Sequence, residues 1–331
     1  MTGTDVNANG TSPIQVTLLD PDGRAITPGE QATLASVLAD IVLIKAQIDK
    51  LHFDEEKLMT TALLDGTTIN VGEIVTKPYL YNIAEKEEPD HYEFELFGIN
   101  NDIDVASEDV WESGGAYVYP TANMQMELVS TSVEDDPDKG SAVPGTGIHA
   151  ITIIYLTDDF TEKTEDIILN GTGVVTTVAT DIFRVNRIEA KTVGAAGFAV
   201  GTISIRHLDN TPIYSSITPG NTRSRKAIYT VPKDRFLCIT SATMGVLYVS
   251  TANAPSNSAL VTIRANYSHR TESKTAFFLP HAEIPSGLGG FYRPFELPLY
   301  FPAGVDVKCS AISGANNCPV SVGLRGWLEV A

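Results

Sequence analysis

The chain has 331 residues, of which 43% are hydrophobic, an ordinary composition for a globular protein that argues against wholesale disorder. Its net charge of −18 is uneven, because residues 51–170 carry 26 acidic side chains against 5 basic ones while residues 171–331 carry 9 against 15. An acidic region repels nucleic acid, so no nucleic-acid partner is expected there. No apolar run approaches the roughly 18 residues that span a bilayer, so no membrane partner is expected either.

Residues 1–26 are predicted to form an anchoring arm. The first twelve residues are small and polar, which favours a flexible arm or a segment that becomes ordered only on a partner. A short alternating strand follows at Ile14 to Leu18, and the turn sequence from Asp20 to Gly23 closes it. An arm and a strand ahead of a helix suit the anchoring of the chain to another protein.

Residues 27–51 carry the strongest helical signal. Thr27 and Glu30 form a capping-box pattern, and Pro28 occupies the first helical position. Apolar residues then follow at 3-4-3-4-3 spacing, at Leu34, Val37, Ile41, Ile44, Ile48 and Leu51. This is the seam of a coiled coil, and β-branched residues at both seam positions favour three strands or more. We predict an oligomerisation helix and a homotrimer; the alternative is one amphipathic helix that packs on its own domain.

Residues 52–93 are predicted to be a linker with short strands. Asp65-Gly66 marks a hairpin turn within it. Residues 82–95 are dense in charge around Pro89, which is typical of an exposed loop.

From Phe94 onward, short runs of Val, Ile, Thr and Tyr alternate with Gly, Pro, Asn and Asp. This pattern is typical of an all-β sandwich or barrel. The clearest unit runs from Ile148 to Val178 and contains three strands, with a turn and return after the first strand and a second strand that ends at Asn170-Gly171. The predicted fold is therefore mainly β, with one or two antiparallel β-sandwich, jelly-roll-like domains after the helix, at residues 94–215 and 216–331.

Nothing in the sequence indicates a catalytic centre. Nucleophile-elbow, zinc-protease, phosphate-loop and dinucleotide motifs are absent, and the six histidines are scattered without ligand spacing. The three cysteines cannot all pair with one another, and they are interpreted as reduced, partly buried thiols. We therefore expect a protein that is not an enzyme and binds no cofactor.

The acidic loop from Glu134 to Asp138 is the candidate for a metal site. Clustered carboxylates in a loop can fold around a hard cation such as Ca²⁺, which prefers oxygen ligands. The candidate ligands are Asp135, Asp136 and Asp138. Because the loop lacks EF-hand spacing and a distal bidentate Glu, a solvated turn is the main interpretation and a cation site is the alternative.

Two further stretches could contact a partner. The basic cluster Arg223 to Lys226 could meet a phosphate or an anionic glycan, but pairing with an acidic neighbouring subunit is the preferred interpretation. The second stretch is rich in aromatic residues that could bind sugars, although a sandwich core is the commoner explanation. Its members are Phe277, Phe278, Phe291, Tyr292, Phe295, Tyr300 and Phe301.

A series of turn and strand motifs spans residues 94–331. The residues concerned are Trp111, Gly114, Gly115, Gly145-Thr146-Gly147, Leu169-Asn170-Gly171-Thr172 and Tyr229-Thr230-Val231-Pro232. The series resembles a widespread group of virion structural proteins from tailed bacteriophages. Lys233-Asp234 departs from that group, which has small residues after the proline. The resemblance implies a component of a phage particle and carries over no functional residues.

Together these observations predict a non-enzymatic virion protein that assembles in the host cytoplasm and contacts other virion proteins of the capsid or tail. A trimeric capsid decoration or head-fibre protein on the outer surface is favoured, because the acidic middle region suits a surface away from packaged DNA. The alternatives are a tail-associated protein, such as a short fibre, adaptor or baseplate component, and a carbohydrate-binding β module.

Overall fold

The computed structural model describes residues 36–39, 41–42, 79–139, 143–246, 258–268, 278–286 and 289–330. The chain divides into two compact units, Met1–Lys77 and Pro78–Ala331. Only residues 36–39 and 41–42 of the first unit are described, and they are helical. The predicted arm at 1–26 lies outside the described residues, as does the predicted linker up to residue 78.

The described residues of the second unit form one short helix, α1, at Tyr79–Ala84, and sixteen strands. The strands are β1 (His91–Ile103), β2 (Glu108–Asp109), β3 (Met126–Ser130), β4 (Ile148–Leu156), β5 (Glu162–Ile168), β6 (Val175–Thr176), β7 (Arg184–Val193), β8 (Ile203–His207), β9 (Ile213–Ile217), β10 (Ile228–Thr230), β11 (Arg235–Val246), β12 (Ala259–Asn266), β13 (Leu279–Ser286), β14 (Gly289–Phe301), β15 (Asp306–Ser313) and β16 (Cys318–Val330).

Two of the four sheets enclose a first hydrophobic core. Their strand orders are β1-β16-β11-β14 and β10-β15-β12-β13, and β2 pairs with β15. All of these pairs are antiparallel. Apolar residues on the inner faces form one core that includes Phe94, Ile239, Val261 and Val320. We call this pair of sheets the outer body, because its strands come from both ends of the second unit.

The other two sheets enclose a second core. Their strand orders are β6-β3-β8-β9 and β5-β4-β7, again antiparallel. Leu128, Ile153, Ile188 and Ile205 are among its fully buried side chains. Every strand of this pair lies between β2 and β10 in the sequence. We therefore call it the inserted body.

The prediction of a mainly β chain with antiparallel sheets is confirmed. Four sheets also suggest a four-bladed, propeller-like arrangement. In a propeller, however, the blades surround a central channel. In the described part of this chain each hydrophobic core is instead enclosed by one pair of sheets, so the sheets are grouped here as two pairs. The three cysteines of the chain are buried and free, as expected for reduced thiols.

The strands are divided between the two cores differently from the predicted domains 94–215 and 216–331. Strand β1 pairs along its length with β16, so that Phe94 lies opposite Gly326 and joins the outer core. The inserted core ends at Ile217, close to the predicted boundary. The difference arises because neighbouring strands of an antiparallel sheet need not be neighbours in the sequence.

The predicted exposed loop at 82–95 is also replaced by regular structure at both ends. Helix α1 occupies its start, and β1 begins at His91. The helix packs Ile83 against Cys238 and Trp327 on the outward side of the β1-containing sheet, and the Tyr79 ring meets the Trp327 ring edge-on at 5.6 Å. Apolar burial against the sheet therefore outweighs the charge density of this stretch.

Candidate functional site: the junction between the two bodies

The chain crosses between the two bodies twice, and the crossings run side by side. The outward crossing follows Val110, and the return crossing ends at Ala227. The Ala227 N–H donates to the Val110 carbonyl oxygen at 2.9 Å, and Trp111 forms an isolated antiparallel bridge with Lys226. The two ends of the inserted body are thus about one strand spacing apart. We call the residues around these crossings the junction.

A buried ion pair joins the two bodies at the junction. Arg184 on β7 donates from Nε to Asp306 Oδ1 at 3.0 Å and from Nη2 to Oδ2 at 3.2 Å. The two side chains are only 5% and 1% exposed. Thr230 donates a further hydrogen bond to Asp306, and the main-chain oxygen of Pro120 accepts one from Arg184. The bidentate geometry and these extra partners satisfy a pair of charges that would otherwise be costly to bury.

Two further contacts extend this connection, one between neutral groups and one between charged groups. The Asn186 side chain of the inserted body donates to the Thr230 carbonyl oxygen and accepts from the Thr230 N–H, both at 2.9 Å. Between the two crossings, Arg225 Nε donates to Glu112 Oε1 at 2.7 Å, and the Glu112 side chain is 2% exposed. The bodies are therefore joined by directional polar contacts in a site that excludes most solvent.

Aromatic rings fill the space beside these polar contacts. Trp111 and Tyr117 pack edge-on with ring centres 5.2 Å apart and form a small core with Ile228. Lys226 lies over the Tyr117 ring, with Nζ 4.9 Å from its centre. An ammonium group in this position is attracted to the ring face.

Burial shifts the pKa values of titratable groups in the junction. It raises the pKa of the Tyr117 and Tyr119 hydroxyls well above their ordinary value of 10, so both are neutral phenols. Burial, together with repulsion from Arg184, lowers the pKa of Lys226 from 10.5 to about 7. The pKa of Lys226 therefore lies in the neutral range, unlike the pKa values of the Tyr117 and Tyr119 hydroxyls.

The geometry of the junction is suited to holding the bodies together. The charged groups Arg184, Asp306, Arg225 and Glu112 are engaged with one another. Among the residues that the structure describes, no group of three or more His, Cys, Asp or Glu side chains could hold a metal ion.

The predicted metal candidate Asp135 has a different role. It is fully buried, and protein donors occupy both carboxylate oxygens. The N–H groups of Ile148 and Val200 donate to Oδ1 at 2.9 and 3.0 Å, while the Ser130 hydroxyl and the Gly201 N–H donate to Oδ2 at 2.6 and 2.8 Å. Asp135 is therefore a structural tie between this loop and the neighbouring strands, and neither a cation ligand nor a solvated side chain.

The other two candidates, Asp136 and Asp138, lie in the same turn. The Asp138 N–H donates to Asp136 Oδ1 at 2.8 Å, a local hydrogen bond that stabilises the turn. This contact agrees with the interpretation of the loop as a turn. The three carboxylates are not gathered around a common point in the described part of the chain.

The predicted oligomerisation seam is described at two of its positions. Val37 and Ile41 are helical and are 50% and 54% exposed. Their neighbours Leu38 and Val42 are 65% and 62% exposed. The remaining seam residues, Leu34, Ile44, Ile48 and Leu51, lie outside the described residues.

The basic cluster does not form one patch. Arg225 pairs with Glu112, Lys226 is buried in the junction, and exposed Arg223 approaches Glu95 at 4.0 Å. Arg225 and Lys226 are therefore engaged within one copy of the chain, whereas pairing of the exposed Arg223 with an acidic neighbouring subunit stays a prediction.

The aromatic stretch divides between core and surface. Phe301 is fully buried and Phe295 packs against the outer core, while Phe278 stacks on Tyr119. Phe277 lies outside the described residues. The exposed members lie on the edge strand β14 and are Phe291 at 43%, Tyr292 at 60% and Tyr300 at 51%.

Sequence reasoning missed the ion pair at the centre of the junction. A signal was present, because Arg184 interrupts the apolar run Ile182-Phe183-Arg184-Val185, and a charge in such a run is buried only when it is paired. Its partner Asp306 is 122 residues away in the sequence, so no local pattern connects the two.

No family model and no curated protein matches this chain. Among solved structures, one similar chain belongs to a structure of infectious bursal disease virus, Gt strain, which is 10% identical and is aligned over 77% of this chain and 78% of that chain, with a TM-score of 0.19. A TM-score this low carries no argument about fold or function. In the part of the chain that the structure describes, no helix has the length and apolar character needed to cross a membrane.

Proposed function

We propose that this chain is a non-enzymatic structural component of a tailed-phage particle, assembled in the host cytoplasm and carried in the virion as a homotrimer. Within the particle we assign it to the outer surface of the capsid, as a decoration or head-fibre protein. Its partners are then two further copies of itself and other virion proteins.

The strand order of the outer body is the observation that carries this proposal. Numbered along the chain without the two-residue strand β2, its eight strands form sheets of order 1-8-3-6 and 2-7-4-5. We interpret this order as a jelly roll whose first and second strands are separated by the inserted body. Viral capsid proteins are among the main users of the jelly roll.

The motifs that resemble phage virion proteins occupy structural positions, in keeping with a building role. The Trp111 indole N–H donates to the Gly115 carbonyl oxygen at 3.1 Å and closes a turn in which Gly114 and Gly115 have φ of 68° and 67°. Only glycine adopts such angles readily. A second motif places Thr230 against Asp306 and Asn186 in the junction.

The described helical residues leave two seam side chains accessible for the proposed homotrimer. Val37 and Ile41, which belong to the predicted seam, are half exposed within one copy of the chain. Burying such side chains in a coiled coil stabilises the assembly by about 1.5–3 kcal/mol for each fully buried residue. Two further copies are the partners that a seam with β-branched residues at both positions favours.

Immunogold labelling of intact particles tests the assignment to the capsid. Antibodies against the outer body are expected to decorate heads, because a decoration protein is present in many copies on the outer surface. Gold at the tail alone would support the alternative, a short fibre, adaptor or baseplate component. Intact particles without gold, but with the protein found in infected cells, would contradict a virion role on the exposed surface.

A carbohydrate-binding module is a second candidate, favoured by the exposed rings of Tyr292 and Tyr300 on β14. Exposed aromatic rings on a β surface can stack on sugars, and lectins also use jelly rolls. A glycan array tests it: saturable binding that Tyr292→Ala abolishes and Tyr92→Ala preserves would favour a lectin. Tyr92 is the matched control, since it is 51% exposed on β1.

A further inference from the structure

Lys226 fastens the return crossing to the inserted body. The side chain is buried, with the residue 3% exposed. Its Nζ donates to the carbonyl oxygens of Val185 on β7 at 2.5 Å and of Tyr214 on β9 at 3.1 Å. Strands β7 and β9 belong to different sheets of the inserted body. One lysine therefore links the crossing to both sheets.

This lysine has no acidic partner among the residues that the structure describes. The charged and titratable groups that face it are Arg184 from β7, Tyr117 from the outward crossing and Tyr214 from β9. None of these provides a negative charge, since burial also raises the pKa of Tyr214. Buried lysines are otherwise usually paired with a carboxylate.

The acids of the junction are already engaged by other cations. Asp306 is held by Arg184, and Glu112 is held by Arg225. A proton added to Lys226 therefore places a second positive charge near Arg184 in a site closed to solvent. The ammonium form can donate to the same two carbonyl oxygens and meet the Tyr117 ring face, but it adds a second buried positive charge near Arg184, which the neutral amine avoids.

We propose that Lys226 makes the junction respond to pH in the neutral range, holding the two bodies together as a neutral amine and loosening them as an ammonium ion. The burial that drives this response also lowers the pKa of Lys226 to about 7, against 10.5 for an ordinary lysine. The device does not depend on the proposed virion role, since it follows from the junction alone.

The direction of the pH dependence follows from proton binding. Between pH 7 and 10.5, the unfolded chain keeps a proton on this lysine and the folded chain does not, so stability rises with pH across that window. The gain is lost as pH falls toward 7. One such group changes the unfolding equilibrium constant by about tenfold per pH unit inside the window.

The first test compares Lys226→Met with the native chain by urea unfolding at about pH 7.5 and pH 9. Lys233→Met is the control, because Lys233 is 44% exposed and pairs with Asp159. In the native chain and the control, the unfolding equilibrium constant is expected to fall by about tenfold more per pH unit than in Lys226→Met. An equal pH dependence in Lys226→Met and the native chain would overturn the proposal.

A second test uses the native chain and so does not depend on the folding of a variant. The Cε resonance of Lys226 in lysine-labelled protein is expected to titrate near pH 7, and titration above about pH 9 would overturn the proposal. Amide hydrogen exchange, corrected for intrinsic rates, should show lower protection in β7 and β9 at about pH 6 than at about pH 8.5. Unchanged protection would mean that the lysine titrates without loosening the junction, which also contradicts the proposal.

Discussion

The inserted body is built from one continuous stretch of sequence, whereas the outer body is assembled from the two stretches that flank it. In the inserted body, β4 and β5 form a hairpin with Ile153 opposite Glu165. In the outer body, β1 pairs with β16, so that Phe94 lies opposite Gly326 at the other end of the chain. Local pairing closes short loops, while the outer sheet must close a loop of more than 200 residues.

Because of this difference, we expect the junction to affect the folding and the stability of both bodies. The side-by-side crossings bring the flanking stretches together, because the Ala227 N–H donates to the Val110 carbonyl oxygen at 2.9 Å across the base of the inserted body. We infer that a folded insert shortens the effective loop for the outer body. The junction contacts then couple the stability of the two bodies.

The largest expected effect comes from breaking the buried ion pair. Arg184→Met leaves Asp306 charged, buried and without its cation, which should lower the free energy of unfolding by about 3–5 kcal/mol. Adding Asp306→Leu should recover most of the loss, because removing both charges removes the unpaired one. Urea unfolding of the single and double variants measures both effects.

The control for this prediction is the surface pair Lys163–Asp181, whose side chains are 46% and 37% exposed. Lys163→Met should lower the unfolding free energy by less than about 1 kcal/mol. A loss in Arg184→Met no larger than the loss in Lys163→Met would show that the junction pair does not couple the two bodies.

A cavity created by substitution in the core of the inserted body tests whether the stabilities of the two bodies are coupled. Ile153 is fully buried, and Ile153→Ala should cost about 2–5 kcal/mol. If the junction couples the bodies, the near-UV signal of Trp327 should report unfolding of the outer body at a lower urea midpoint than in the native chain. A probe of the inserted body should then give the same lowered midpoint. Two separate transitions, with only the inserted body destabilised, would show that the junction does not couple the two bodies.

A smaller effect is expected at the loop that resembled a cation site. Asp135→Asn presents an NH₂ group to backbone N–H donors, so the free energy of unfolding should fall by about 1–3 kcal/mol. Asp138→Asn is the matched control and should change it by less than about 0.5 kcal/mol. Thermal unfolding with and without millimolar Ca²⁺ completes the test, and a rise in melting temperature that Asp138→Asn abolishes would restore the cation interpretation.

The smallest effect belongs to the exposed edge of the outer body. Tyr292 is 60% exposed on β14, so Tyr292→Ala should change the free energy of unfolding by less than about 0.5 kcal/mol. Urea unfolding measures this, with Phe301→Ala as the buried comparison at about 3–5 kcal/mol. A large loss in Tyr292→Ala would place this ring in the fold rather than on a free surface.

The sequence predicted local pairing better than distant pairing. The β4–β5 hairpin and the turn at Asn170-Gly171 follow from alternating apolar residues and turn chemistry, and the structure contains both. The pairing of β1 with β16 has no local signal, so the predicted domains divided the strands differently. Asp135 was identified as notable, but its role depends on donors up to 66 residues away.

The homotrimer is tested most directly by the mass of the native chain in solution, measured by light scattering. Three copies of the 35.6 kDa chain should give about 107 kDa. Ile41→Asp, which puts a charge in the seam, should give a folded monomer with unchanged unfolding of the outer body. A native chain that is monomeric with both bodies folded would contradict the proposed trimer, as would a trimer that survives Ile41→Asp.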